Sequence, residues 1–282
     1  MKRKNGCFLC FLLLLTLFVW IPVWVLCSGS FMGRDEILKN VGPVLEQAKG
    51  RASWSLLPVY PTLRAYVELL LDSPNFFTMF WNSCIQVIPV LAGQILVSIP
   101  AAWAFATYKF RGKKALFVLY IILMVLPFQV TMVSSYLVLF RMKLTGTHLA
   151  VILPNIFSTF PVFIMTKFFQ TVPGSLLEAA RLDGASEGYL FFRIGIPMEK
   201  SGIFSILILG FLEYWNAIEQ PLTFLANNKK LWPLTLYLPN ITTDNMGVAF
   251  SASIFVMFPA LLLFLYGQKY LEQGIAASGL KE

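Results

Sequence analysis

Six long apolar runs, separated by short segments that hold most of the charge, constrain this chain more than any other feature. They lie at about 8–27, 76–108, 115–139, 148–169, 203–225 and 246–268. A bilayer crossing needs about 20 mainly apolar residues at ~1.5 Å rise each, and each run meets that length. Lipid offers the backbone no hydrogen-bond partner, so such runs must be helices that satisfy themselves internally. With 57% of residues hydrophobic and only 13% charged, a soluble domain could not hide this much apolar surface. The expected fold is therefore all-α, a polytopic membrane protein with about six spans in one domain over 1–282. The runs at 76–108 and 115–139 exceed a perpendicular crossing, which predicts tilt, kinks or extension beyond the membrane. Pro89, Pro100 and Pro127 are the expected kinks.

The first run follows Lys2-Arg3-Lys4 and precedes Ser28-Gly29-Ser30, the outline of a secretory signal. Its apolar length is nearer a full span than the roughly 7–15 residues of a signal core, so it reads as an uncleaved first helix. Lys and Arg set the orientation. Lys2, Arg3 and Lys4 precede the first run, and Lys109, Arg111, Lys113 and Lys114 fill the connection after the second, so both should be cytoplasmic. Six crossings then place both termini, the segment 171–200 and the tail 269–282 on that side. Segment 30–75 falls outside, where its cations are balanced by Asp35, Glu36, Glu46, Glu68 and Asp72. Pro43, Gly50, Pro58 and Pro61 break it up, and 62–71 has the pattern of a short amphipathic helix. It reads as a solvated cap, or as a cap that also contacts an external solute-delivery protein. The formal net charge of +8 is spread over membrane-flanking positions, which gives membrane lipid as a contact and argues against nucleic acid.

Catalytic and metal chemistry have little to work with. Cys7-Phe8-Leu9-Cys10 has redox or zinc spacing but no second ligand pair, and the lone histidine, His148, is expected across the membrane. No G-x-x-x-x-G-K-[S/T] loop is present: Gly112-Lys113 is followed by Lys114, without the earlier glycine. Neither a catalytic residue nor a metal site is expected, and the chain does not read as an enzyme.

Two polar features stand out. The first is Glu178-Ala179-Ala180-Arg181-Leu182-Asp183-Gly184, closed by Ile194-Gly195-Ile196-Pro197. Pro173 starts a helix, Asp183-Gly184 stops it because glycine takes the left-handed conformation, and Ser186 caps a second short helix through Phe192. Small Ala179 and Ala180 permit close approach of a partner, and Glu178 and Asp183 can pair with its basic residues. The segment reads as a docking handle for a soluble partner, or as a loop lying on headgroups. The second feature is in the fifth run, where Glu213, Asn216, Glu219 and Gln220 fall within about 120° of arc at ~100° per residue, with Trp215 as a ring able to stack on a sugar. A carboxylate at mid-depth costs about 2.5–3.5 kcal/mol, so Glu213 calls for a polar cavity or a partner group. Solute path and interhelical hydrogen-bond cluster are equally open readings. Gln86, Gln94 and Gln129 can line a path or bridge helices.

The handle resembles the EAA loop of permease subunits of binding-protein-dependent ABC importers. Pro61-Thr62…Tyr66, Asn82-Ser83, Trp215-Asn216…Pro221-Leu222 and the tail Gln268-Lys269-Tyr270…Gln273-Gly274…Ser278-Gly279-Leu280-Lys281 are similar to the carbohydrate branch, in its MalG-like type and not the longer MalF-like one. The resemblance covers about nine tenths of the chain. It implies the type I ABC importer permease fold in a bacterial or archaeal cell (inner) membrane, with a second, MalF-like permease subunit, two ATP-binding subunits and an extracytoplasmic solute-binding protein as partners. It implies that Glu178, Ala179, Ala180, Asp183 and Gly184 couple to the ATPase, that ATP and Mg are used by that partner, and that this chain binds no cofactor. The implied cargo is a sugar or oligosaccharide. Ala217 and Glu219 depart from the acidic and apolar residues that many relatives carry there. An ion-gradient-driven secondary transporter, an importer subunit for a non-sugar solute and a non-transporting scaffold are the other readings.

Overall fold

A computed structural model describes residues 2–45, 53, 55–237 and 245–279, with side chains over 9–44, 53, 55–237 and 245–272. All regular structure among them is helical. The helices are α1 (Lys2–Ser30), α2 (Arg34–Leu45), α3 (Arg64–Leu71), α4 (Pro74–Thr107), α5 (Lys113–Val125), α6 (Phe128–Arg141), α7 (His148–Ile156), α8 (Thr159–Phe169) and α9 (Gly174–Leu182). They continue with α10 (Glu187–Met198), α11 (Lys200–Trp215), α12 (Glu219–Phe224) and α13 (Met246–Gly279). Four stretches, Leu9–Ser30, Pro74–Thr107, His148–Phe169 and Met246–Glu272, are each long and apolar enough to cross a membrane. Counting two bent pairs as spans brings the total to six.

The apolar run at 115–139 is not one rod. It is α5 and α6, bent by 101° at Leu126-Pro127. A residue before proline is pushed out of the helical region, and Leu126 is extended at ψ 120° with Pro127 at ψ 148°. Pro127 therefore ends a helix instead of kinking it. Pro89 and Pro100, by contrast, sit inside α4 without interrupting it. The run at 203–225 also divides: α11 stops at Trp215, and α12 starts at Glu219.

The described residues form two compact units, Met1–Thr78 with Leu236–Pro259, and Met79–Thr235 with Ala260–Glu282; the boundary falls inside α4 and α13. In the first unit the segment expected to be broken by Pro43 contains α2. Asp35 and Glu36 in its first turn complement the helix dipole, and Pro43 lies inside it, near its C-terminal end. Glu36 accepts from Ser55 Oγ (3.2 Å) and Val59 N (3.0 Å), which fastens the following loop to α2. The expected amphipathic helix is α3, with Ala65 and Leu69 buried. Phe76 meets Phe255 and Tyr237 edge-on, each at 5.5 Å.

The second unit is built around Trp103 and Phe105 of α4, Met165, Phe168 and Phe169 of α8, Leu177 of α9, Leu190 of α10 and Ile206 of α11. The aromatic rings meet mostly edge-on or tilted, as Trp103 does with Phe169 at 5.2 Å and with Phe191 at 5.8 Å. Asn82 Nδ2 donates to the carbonyls of Lys230 (2.7 Å) and Trp232 (3.0 Å), Ser83 Oγ accepts from Leu234 N (2.8 Å), and Gln86 Nε2 donates to Leu231 O (2.9 Å). The segment after α12 is thus sewn onto α4 by side chains within one helical turn of each other.

Candidate functional site

The handle is a bent rod on a fixed base. Glycine 184 takes φ +84°, a conformation that costs other residues about 1–2 kcal/mol. Ala185 N bonds to Ala180 O (2.9 Å) and Gly184 N to Arg181 O (3.0 Å), the paired closure that satisfies the last carbonyls of α9. Ala180 and Ala185 are half-buried against the core, which supplies the apolar contact that accompanies such a closure. Ser186 Oγ then accepts from Tyr189 N (3.2 Å) and caps α10. Helix, glycine turn and second helix are as the sequence implies. The second helix, expected to stop at Phe192, runs on to Met198 through a π-helical stretch at Leu190–Gly195. Gly195 explains the continuation: a Cβ there would lie 2.5 Å from Trp103 Cζ3, so its backbone is seated directly on the core.

Leu177 and Leu190 anchor the rod, while Glu178, Ala179, Asp183 and Gly184 stand exposed. Leu182, at 89% exposure, projects from the same end as an uncovered apolar knob. A salt bridge that sequence reading missed spans the turn. Arg181 Nε and Nη2 reach Glu187 Oε1 (2.8 Å) and Oε2 (3.3 Å), and Tyr108 OH donates to Oε2 (2.9 Å). The guanidinium holds the Glu187 carboxyl below its ordinary range, and that hydrogen bond raises Arg181. The two ends of the segment are clasped as well: Thr171 Oγ1 donates to Glu199 Oε1 at 2.9 Å. Glu199 is buried, and desolvation pushes its carboxyl upward despite that bond. The i to i+6 spacing of Arg181 and Glu187 carries no helical periodicity because the turn intervenes, so nothing in the sequence marked them as partners.

The expected solute stripe is rearranged by the break after Trp215. Glu213 and Gln220 line a cavity of about 350 Å³ together with Asn155, Ser158, Tyr214 and Phe128. Glu213, Gln220 and Glu219 line an adjoining one of about 240 Å³. Trp215 and Asn216 do not join them. Trp215, 3% exposed, is stacked on Phe211 at 5.2 Å and met edge-on by Phe80 at 5.9 Å. Asn216 turns its amide back to Leu212 O at 2.7 Å. One continuous helix would have aligned all four polar residues; two short ones with different axes cannot. Behind the wall, Gln94 Nε2 donates to Asn155 O (2.8 Å) and Tyr214 OH (2.7 Å), and Asn155 Nδ2 donates to Gln220 Oε1 (2.6 Å). Gln86 bridges to Leu231 O and lies 3.3 Å from His148 Nδ1; Gln129 Nε2 donates to Glu219 Oε2 at 2.7 Å. The three glutamines therefore join helices and loops in the bundle.

The description "Binding-protein-dependent transport system inner membrane component" belongs to a family model that matches residues 94–277, well over half of the chain. The chain belongs to this family. The arabinooligosaccharides transport system permease protein AraQ of Halalkalibacterium halodurans is 28% identical over 289 residues, covering all of both chains. A probable ABC transporter permease protein of Pyrococcus horikoshii is 33% identical over 252 residues, covering 87% of this chain and 89% of that one. The fold matches a chain in the crystal structure of a bacterial ABC transporter involved in the import of the acidic polysaccharide alginate. The TM-score is 0.79 at 20% identity, over 95% of this chain and 97% of that one. As a member, this chain is a multi-pass permease subunit of an ABC importer with the type I fold; it is not an enzyme, and the ion-gradient-driven reading falls away. Membership implies a partner permease, an ATPase and a binding protein.

Proposed function

We propose that the chain is the MalG-like permease subunit of an ATP-driven importer for a sugar or oligosaccharide. It pairs with one MalF-like permease and two ATP-binding subunits, and it receives solute from an extracytoplasmic binding protein in a bacterial or archaeal inner membrane, with both termini cytoplasmic. The observation that carries this reading is the bent rod. An exposed tip bearing Glu178, Ala179, Asp183 and Gly184 stands on a base whose Leu177, Leu190 and Gly195 are locked into the core shared with α4, α8 and α11. Force applied to such a tip reaches the spans without being absorbed by a loose loop. Of the five expected coupling residues, Ala180 faces inward and serves the turn, while the other four meet the ATPase. ATP and Mg act on that partner, and the chain itself holds no cofactor. A carbohydrate cargo is supported by the cavity, whose polar lining is Glu213 with hydroxyls and amides, and by a relative whose name specifies arabinooligosaccharides.

The test is copurification with an ATPase followed by solute-stimulated hydrolysis in Glu178→Arg and Gly184→Pro. Proline fixes φ near −65°, opposite in sign to that of Gly184, so the turn cannot form. Both variants should assemble yet lose at least about tenfold in stimulation, equivalent to ~1.4 kcal/mol of coupling. Normal stimulation in both would overturn the assignment.

A further inference from the structure

We propose that the cavity between α6, α7, α11 and α12 is anion-excluding, so that the solute crossing it is uncharged or cationic and carries no carboxylate or phosphate. This rests on the importer reading above and narrows its substrate class. The two adjoining cavities share Phe128, Glu213, Tyr214 and Gln220, and so form one continuous wall. That wall carries two carboxylates, Glu213 and Glu219, and none of its described lining residues is Arg, Lys or His. Neither carboxylate has an ion-pair partner among the described residues; Glu219 receives only the neutral amide of Gln129 at 2.7 Å.

The lining polar groups are compatible with the same solute. The carboxylate oxygens of Glu213 and Glu219 only accept, Asn155 has both amide hydrogens committed, to Val151 O and Gln220 Oε1, and the hydroxyls of Ser135 and Ser158 and the amide of Gln220 can donate or accept. Such a mixture suits the O–H groups of a neutral saccharide, and the carboxylates suit an ammonium group, while no lining cation meets an anionic one. A cleft with one sign of charge and low-dielectric walls concentrates opposite charge and depletes like charge by about tenfold or more.

Charge selectivity can be read without knowing the solute. In the assembled transporter in proteoliposomes, with native cysteines replaced by serine, Ser135→Cys and Ser158→Cys place reporter thiols on the wall. Each is treated with a cationic trimethylammonium-ethyl and an anionic sulfonatoethyl methanethiosulfonate. Any change in thiol ionisation slows both reagents alike, so the ratio of their rates reports local potential. Relative to a free thiol, the cation-to-anion ratio should rise about tenfold, and Glu213→Gln with Glu219→Gln should return it to within about twofold. A ratio equal to the free thiol, a ratio unmoved by both glutamines, or no reaction at either reporter would overturn the proposal. The coupling role of the rod fails separately, by normal coupling in the rod variants, and that outcome leaves this ratio untouched.

Discussion

The rod at 174–198 and the cavity wall at 213–224 have the same outline, helix, break and helix, but they are held in opposite ways. The rod's turn is closed within a few residues: Ala185 to Ala180, Ser186 to Tyr189, Arg181 to Glu187. The wall's polar groups are satisfied across great sequence distance, Gln94 with Tyr214 and Asn155 with Gln220. A locally closed element keeps its shape while its exposed face changes partners, which suits a part that moves against a motor. A wall cross-tied to other helices shifts only when they do, which suits a passage that opens and closes as a unit.

The sharpest way to break this contrast is to cut a long tie. Gln94→Leu removes two donations, to Tyr214 OH and to the Asn155 carbonyl, which keeps Ser158 N as a donor, at a cost of about 1–3 kcal/mol for the pair. Thermal unfolding of the detergent-solubilised complex should register the loss; an unchanged midpoint would mean the wall does not depend on α4. Next in size is a pair of leucine substitutions scored by uptake. Gln220→Leu should reduce transport several-fold, whereas Asn216→Leu, whose amide turns back to its own helix, should stay within about twofold. Equal losses would restore the single-stripe picture.

A smaller effect is expected at the clasp below the rod. Glu199 has a raised carboxyl pKa, so its charged form costs stability that appears as pH climbs from the ordinary glutamate range through the raised value. Glu199→Gln keeps an acceptor for Thr171 and should stabilise by up to about 1 kcal/mol at neutral pH, with the advantage vanishing below the ordinary range. A pH-independent difference between the two unfolding profiles would contradict this. The smallest effect should come from Arg181→Lys. It replaces a two-point grip on an exposed carboxylate by one contact, and solvent screening leaves such a change little weight in stability. Its mark would be a small loss of solute-stimulated hydrolysis with unfolding unaltered. A large stability loss would show that the turn leans on the salt bridge more than on its backbone closure.

The rod was legible residue by residue because its signals are local. Pro173, Asp183-Gly184 and Ser186 each act within one turn of chain, and the structure realises all three. The wall was legible only as a list of polar residues. Helical periodicity assumed an unbroken helix from 203 to 225, and the stop after Trp215 removed that assumption. Trp215 itself is spent on packing with Phe80 and Phe211, a role that its neighbours in sequence do not reveal. Proline shows the same limit: Pro127 ended a helix and Pro100 did not, although both lie in apolar runs.

What the sequence alone determined is the solvent and the class of structure. Twenty-residue apolar runs in lipid must be helices, and a glycine beyond an amphipathic turn must stop one. What only the tertiary structure decided is where those helices break and which polar groups meet. The reason is physical: a backbone amide finds its partner within one turn, whereas a buried side chain finds its partner wherever packing delivers one. Gln94 needed a hydroxyl 120 residues away, and no pattern along the chain encodes that distance.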